Sequence, residues 1–175
     1  NNKGINNSNT QFAFIINPDT VFKNETLKNI FEQAKLIDDF AIISPINSDH
    51  NHPNYKTLNK ILNENIIEVG SVDGFAMLIN KKKFEENNFF DEKFFLFLEN
   101  DDLCKRIKTA GNKIYVIKNA FIDHKGFSSS TKIDKEELEQ LRNWHWMWSK
   151  FYFNKKHFGF IQAYISIFPS FLSSI

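Results

Sequence analysis

Apolar residues fall in short clusters whose spacing changes along the chain. Gln11 to Ile16 (QFAFII) is an apolar, β-branched and aromatic run stopped by Asn17-Pro18-Asp19, which predicts a buried strand ending in a turn. Leu27, Ile30, Phe31, Ala34 and Ile37 then recur at helical spacing, with Asn24 placed to cap a helix over Glu25 to Ile37. Phe40 to Ser44 reads as a second strand closed by Pro45. Strand, helix and strand in that order predict a parallel α/β layer rather than a sandwich of sheets.

Ile46 to Tyr55 has no apolar period and reads as a surface loop. Its two histidines, His50 and His52, could be read as metal ligands, but no third ligand lies nearby and a solvated loop accounts for them. Ile66 to Val69 and Gly74 to Ile79 are strand-like pieces on either side of Ser71-Val72-Asp73, and Lys81 to Asn87 reads as a short helix. Glu99 to Ala110 predicts a better one, with acids in its first turn, Lys105, Arg106 and Lys108 later, and Gly111 as its stop. Lys113 to Ile117 is the next strand, and Asp134 to about Phe153 a long, Trp-rich amphipathic helix. The uncharged tail from Phe158 to Ile175, interrupted by Pro169 and serines, is short for a membrane span and suits an interface.

Composition narrows the reading without deciding it. At 175 residues the chain is long enough for one domain with a real core. With 22 basic against 21 acidic residues, no global charge points to nucleic acid or an anionic surface, so any basic site must be local. One cysteine, Cys104, excludes an internal disulfide and a four-cysteine zinc site, and fits a reducing compartment. The 20 phenylalanines, with abundant Asn and Lys and only Arg106 and Arg142 as arginines, fit biased codon usage. The chain opens at Asn1 without a secretory leader and is expected to be an internal part of a longer protein.

Polar groups stand at the ends of three apolar elements: Asn17-Pro18-Asp19, Glu99-Asn100-Asp101-Asp102 and Asp123-His124. In an open α/β sheet such ends can converge on one crevice. Taken singly, Asp19 also reads as a turn residue, His124 as a surface or capping residue, and Asp101 and Asp102 as acids satisfying the first turn of a helix. Glu99 resists that explanation. It follows Phe94-Phe95-Leu96-Phe97-Leu98, and a carboxylate ending so apolar a run is partly desolvated, which raises its pKa toward that of a useful base.

The order of the pieces carries more than any one of them. INPDT, then VDGFAMLINKKKFEENNFFDEKFFLFLENDDLCKRIKTAGNKIYV, then DHKGFSSS resembles the inverting family 2 glycosyltransferases, in particular the rhamnosyltransferase-like branch acting on bacterial surface polysaccharides. The likeness runs from about Asn2 to His157, and RNWHWMWSKFYFNKKH is similar to the tail that follows the catalytic core in that branch. It implies an α/β chain with the GT-A fold, a three-layer sandwich incomplete at its N-terminus. Residues 1–131 would be a partial catalytic domain and 132–175 its C-terminal helical tail.

The implied reaction is metal-assisted transfer of a sugar, with rhamnose the first guess, from a nucleotide diphosphate to a saccharide or lipid-linked acceptor. Asp19 stands where the family binds Mg²⁺ or Mn²⁺, with Asn17 in place of the first acid, and His124 matches a late histidine that completes the metal site. Where the family has an acidic pair supplying the base, this chain has Glu99-Asn100, so Glu99 is expected to be the base and Asp101 or Asp102 to support the acceptor. Gly74, beside Asp73, matches a small residue at the junction of donor and acceptor, and equally reads as a turn glycine. Lys125 and Ser128, in a flexible donor-rich loop, are expected to close over phosphates, and the same loop also reads as a connector. Trp144 to Phe153 followed by Lys155, Lys156 and His157 suits either lipid headgroups or packing on the core, so peripheral contact with the inner face of the cell membrane is expected. An inactive fragment serving as an interaction module and a metal-dependent phosphohydrolase are the rival readings.

Overall fold

The structure is a computed structural model that describes residues 1–37, 39–49, 52–85, 88–124 and 135–172. The apolar clusters fold into helix α1 (Asn2–Asn7), strands β1 (Phe12–Ile16) and β2 (Thr20–Phe22), helix α2 (Thr26–Ala34), and strands β3 (Ile42–Asn47), β4 (Tyr55–Asn63), β5 (Ile66–Val72) and β6 (Ala76–Asn80). A 3₁₀ turn (Lys81–Lys83), helix α3 (Glu99–Thr109), strand β7 (Ile114–His124) and helices α4 (Lys135–Phe158) and α5 (Phe160–Leu172) complete the chain.

The strands form one seven-stranded sheet in the order β1-β6-β3-β7-β5-β4, with β2 paired to β7. The expected parallel layer is corrected in detail. Among the described strands only β3 and β7 pair in parallel, and the other five pairings are antiparallel. The reason lies in β6, which inserts between β1 and β3 and runs against both. β1 and β3 therefore keep the common direction that a strand-helix-strand unit requires, without touching each other.

Helices cover both faces of this sheet, which makes it an α/β chain. Along β7, Ile114 and Val116 pack with Leu103, Cys104 and Ile107 of α3, whereas Tyr115 and Ile117 pack with Ile30 of α2. The alternation is the period-2 pleat of a strand buried on both sides. β3 shares it, with Ile42 facing the α3 side and Ile43 the α2 side.

Several boundaries differ from the sequence pattern for local reasons. β3 continues through Pro45, where its register with β7 shifts. Pro45 still accepts at its carbonyl from Asn54 Nδ2 at 2.9 Å, so the missing N–H weakens the ladder without ending the strand. β7 runs on past Ile117 to His124, and Tyr55–Asn63 pairs with β5 where no strand was expected. Asn24 does not cap α2, which begins at Thr26 after a left-handed Glu25. Gly111 does stop α3: its positive φ of 79° lets its N–H reach Lys108 O while Asn112 N–H reaches Ile107 O, the Schellman closure.

Candidate active site

The carboxyl ends of β1, β3 and β7 and the start of β6 lie at one end of the sheet, since Ile16 faces Ala76 and Asn47 faces Ile122. There Asn17 N–H donates to Phe75 O at 2.9 Å, so the turn after β1 and the turn before β6 lie side by side. The carbonyl of Asn17 accepts from both the N–H and the hydroxyl of Thr20, which closes the turn and holds Asp19 at its tip. β2 then leaves antiparallel to the end of β7, with Thr20 opposite His124. This register brings Asp19 Oδ1 within 3.3 Å of His124 Nε2. His124 is fixed from behind by stacking on Phe75, ring centroids 4.5 Å apart.

The cleft beside this pair has a volume of about 560 Å³ and is lined by Asn17, Asp19, Asp73, Gly74, Glu99 and His124, six of the eleven expected site residues. Glu99 enters it from the first turn of α3. Its Oε2 is buried and has no hydrogen-bond partner. Burial lifts the Glu99 pKa above its ordinary value, against a hydrogen bond from its own backbone N–H, and the Asp101 charge adds to the rise. Asp73 shifts upward for the same leading reason, but it is exposed at the cleft mouth, where water screens the effect. Gly74 lies against the base of α3: a Cβ built there would stand 3.3 Å from Asn100 Cβ and 3.8 Å from Glu99 Oε1.

The other expected residues take different places. Asn100 does not line the cleft. Its amide donates to Val72 O at 3.1 Å and ties α3 to the end of β5. Asp101 points to the flank, paired with Lys56 at 3.1 Å. Asp102 corrects the expectation of an acceptor contact. It is fully buried, with Arg106 Nε, Lys156 Nζ and His157 Nε2 each 2.8 Å from its carboxylate. Burial alone would raise its pKa, yet the hydrogen bonds from Lys156, Arg106 and His157 outweigh it and hold the carboxyl below its ordinary range. Lys125, Ser128 and His50 lie outside the described residues, and His52 pairs with Asp49 on the surface. Cys104, buried with its thiol pushed up to about 12, is inert packing.

Two features escaped the sequence reading. Arg142 of α4 reaches into the cleft, with its guanidinium 5.7 Å from the centre of the Phe97 ring. Its rarity was the available signal, because a planar five-donor fork among lysines suits phosphate or carboxylate recognition. The second feature is backbone strain. Phe97 and Leu98, immediately before Glu99, both adopt left-handed φ, at 69° and 63°. Each costs a non-glycine residue about 1–2 kcal/mol, so the surrounding packing must impose it. α4 supplies that packing: Ser149 Oγ donates to Leu96 O at 2.6 Å, Trp146 packs edge-on against Phe97, and Tyr152 packs against Phe94.

No family model matches the chain, and no curated protein matches it. Among solved structures the chain is similar to A197 from STIV, with a TM-score of 0.42 and 11% identity over 62% of this chain. The match spans 54% of that protein's length. Among the described residues no cluster of three or more His, Cys, Asp and Glu side chains is placed to hold a metal ion. No described helix is long and apolar enough to cross a membrane.

Proposed function

We propose that the chain carries the catalytic cleft of an inverting, metal-dependent glycosyltransferase of the GT-A type, which moves a sugar from a nucleotide diphosphate to an acceptor hydroxyl. The observation that carries this reading is the meeting, in one cleft, of an Asp-His pair with a desolvated glutamate whose buried Oε2 has no partner. Asp19 and His124, 3.3 Å apart in the cleft, are the two side chains that would hold Mg²⁺ or Mn²⁺. Two protein ligands are enough for Mg²⁺ or Mn²⁺ when phosphate oxygens and water complete the shell. When bound, the ion would neutralise charge gathering on a departing diphosphate.

The chain's own groups supply the rest. Arg142, which also lines the cleft, donates to phosphate oxygens, and the Phe97 ring beside it keeps the guanidinium there. Glu99 accepts the proton of the acceptor hydroxyl as that oxygen attacks the anomeric carbon. Its raised pKa makes it a stronger base than an exposed carboxylate, and it lines the cleft that the acceptor hydroxyl would enter. Gly74 leaves no side chain beside Glu99, and Asp73, which lines the same cleft, accepts from sugar hydroxyls.

The test is donor binding and product analysis on the protein with Mn²⁺, offering thymidine-diphosphate-rhamnose first and other nucleotide sugars after it. Mn²⁺-dependent binding that Asp19→Ala and His124→Ala each abolish, together with a glycoside product, is expected. Release of free sugar or phosphate as the only product would favour hydrolysis, and metal-independent binding would overturn the assignment of Asp19 and His124.

A further inference from the structure

The C-terminal helix α5 presents the wrong face to water. Its residues from Phe160 to Leu172 include no charged side chain. Ala163 is fully buried, whereas on the opposite side Ile161, Ile165 and Phe168 form a stripe at i, i+4 and i+7 with exposures of 78%, 60% and 60%. An ordinary surface helix has its polar residues on that side.

The charge beside the start of α5 is positive. Lys105 Nζ sits 4.5 Å above the Phe158 ring and Lys155 Nζ 5.8 Å from the Phe160 ring, both at the end where α4 turns into α5 through Gly159. Neither lysine pairs with a carboxylate among the described residues. A second copy seated on the same face would bring lysines of its own and no acid from α5. An anionic headgroup layer offers both the negative charge and the apolar interior behind it.

We infer that α5 is an interfacial helix that lies in the headgroup layer of an anionic bilayer, with Ile161, Ile165 and Phe168 toward the acyl chains and Lys105 and Lys155 at the level of the phosphates. Tyr164, exposed beside the stripe, has the apolar ring and polar tip that headgroup depth favours. Because α4 both carries Arg142 and leads into α5, this seating would hold the cleft at the lipid surface, within reach of lipid-linked acceptors.

The experiment is co-sedimentation of the protein with vesicles of phosphatidylglycerol and phosphatidylcholine, compared with phosphatidylcholine alone. Binding to the anionic vesicles is expected, falling with added salt, with at least a tenfold weaker partition for Ile161→Asp and Ile165→Asp. Lys105→Glu with Lys155→Glu should lower binding to anionic vesicles and leave the weak neutral-vesicle binding unchanged. Since all four side chains lie outside the sheet core, circular dichroism of each variant should match the parent. Equal binding by the Asp variants, or no vesicle binding by the parent, would overturn the inference. So would a stable dimer that Ile161→Asp dissociates without any lipid effect, which would assign the face to a second copy.

Discussion

Replacing Glu99 with glutamine separates a catalytic base from a helix-capping acid by two independent readouts. The Glu99 pKa is raised above its ordinary 4.5 in the folded chain, so between 4.5 and the folded value the native state holds a proton that the unfolded chain has released. The contribution of Glu99 to stability is therefore fully present below pH 4.5 and lost as pH rises through the folded pKa. Glutamine removes this loss. The stability of Glu99→Gln relative to the parent should rise with pH from about 4.5 and then level off, gaining about 1.4 kcal/mol per unit of pKa displacement. In a chain of 175 residues each kcal/mol moves Tm by about 2–4 °C, which calorimetry between pH 4 and pH 8 resolves. A buried neutral amide at the position of the partnerless Oε2 offsets part of the gain, but that offset is the same at every pH. Turnover should fall by about a hundred-fold to ten-thousand-fold with donor affinity retained, since the proton moves only as the acceptor attacks. A stability difference that is flat with pH, together with a loss of turnover under about threefold, would refute the role.

Gly74→Ala should fold with a loss of about 1–3 kcal/mol, because the new Cβ must displace Asn100, whose amide is held by Val72. Its turnover should fall more than tenfold, and an unchanged turnover would show that the floor of the cleft does not position Glu99. Asp102→Ala should cost about 3–5 kcal/mol at pH 7 in denaturant unfolding by stranding Arg106, Lys156 and His157. Because the folded Asp102 pKa is depressed, its contribution is present above its ordinary 3.8 and lost as pH falls through the folded value, so the gap should narrow toward pH 3. A raised KM with unaltered stability would return Asp102 to acceptor binding. Arg142→Lys keeps the charge but loses the fork, and should weaken donor binding by about tenfold in calorimetry with Tm unchanged.

What was legible in the sequence was which polar residues end each apolar element, and what was not was the pairing that joins those ends. Asp19 and His124 could each be singled out, but they meet through β2, whose three residues Thr20-Val21-Phe22 are too few to show a period. The strand gains its order from the last three residues of β7, a partner about a hundred positions away that local propensity does not encode. β4 was missed for a related reason: Lys56, Lys60 and Asn63 interrupt its apolar residues because it is an edge strand paired on one side only. Glu99 was legible because burial could be read from the five apolar residues before it. Asp102 was misplaced because its partner His157 lies 55 positions later on another helix, and nothing in ENDD distinguishes a cleft acid from a buried one.

Glu99 and Asp102 stand three residues apart on one helix, and their pKa values move in opposite directions. Helix position does not explain this, since both lie in the first turn, where the dipole favours the charged form of each. The difference comes from α4. Its end supplies Lys156 and His157 to Asp102, while no cation of the described residues forms an ion pair with Glu99. Arg106 completes the anchor: it pairs with Asp102 and donates to the carbonyls of Asn88 and Phe89, so α3, the 88–91 segment and α4 are fastened at one point. With the far end of α4 fixed there and Ser149 and Trp146 gripping Leu96 and Phe97, the chain enters α3 through two left-handed residues that it would not adopt unaided. The satisfied carboxylate thus holds the frame in which the unsatisfied one is kept desolvated. On the proposed reading, the two acids driven apart in this way divide the work, Asp102 anchoring the frame and Glu99 taking the acceptor's proton.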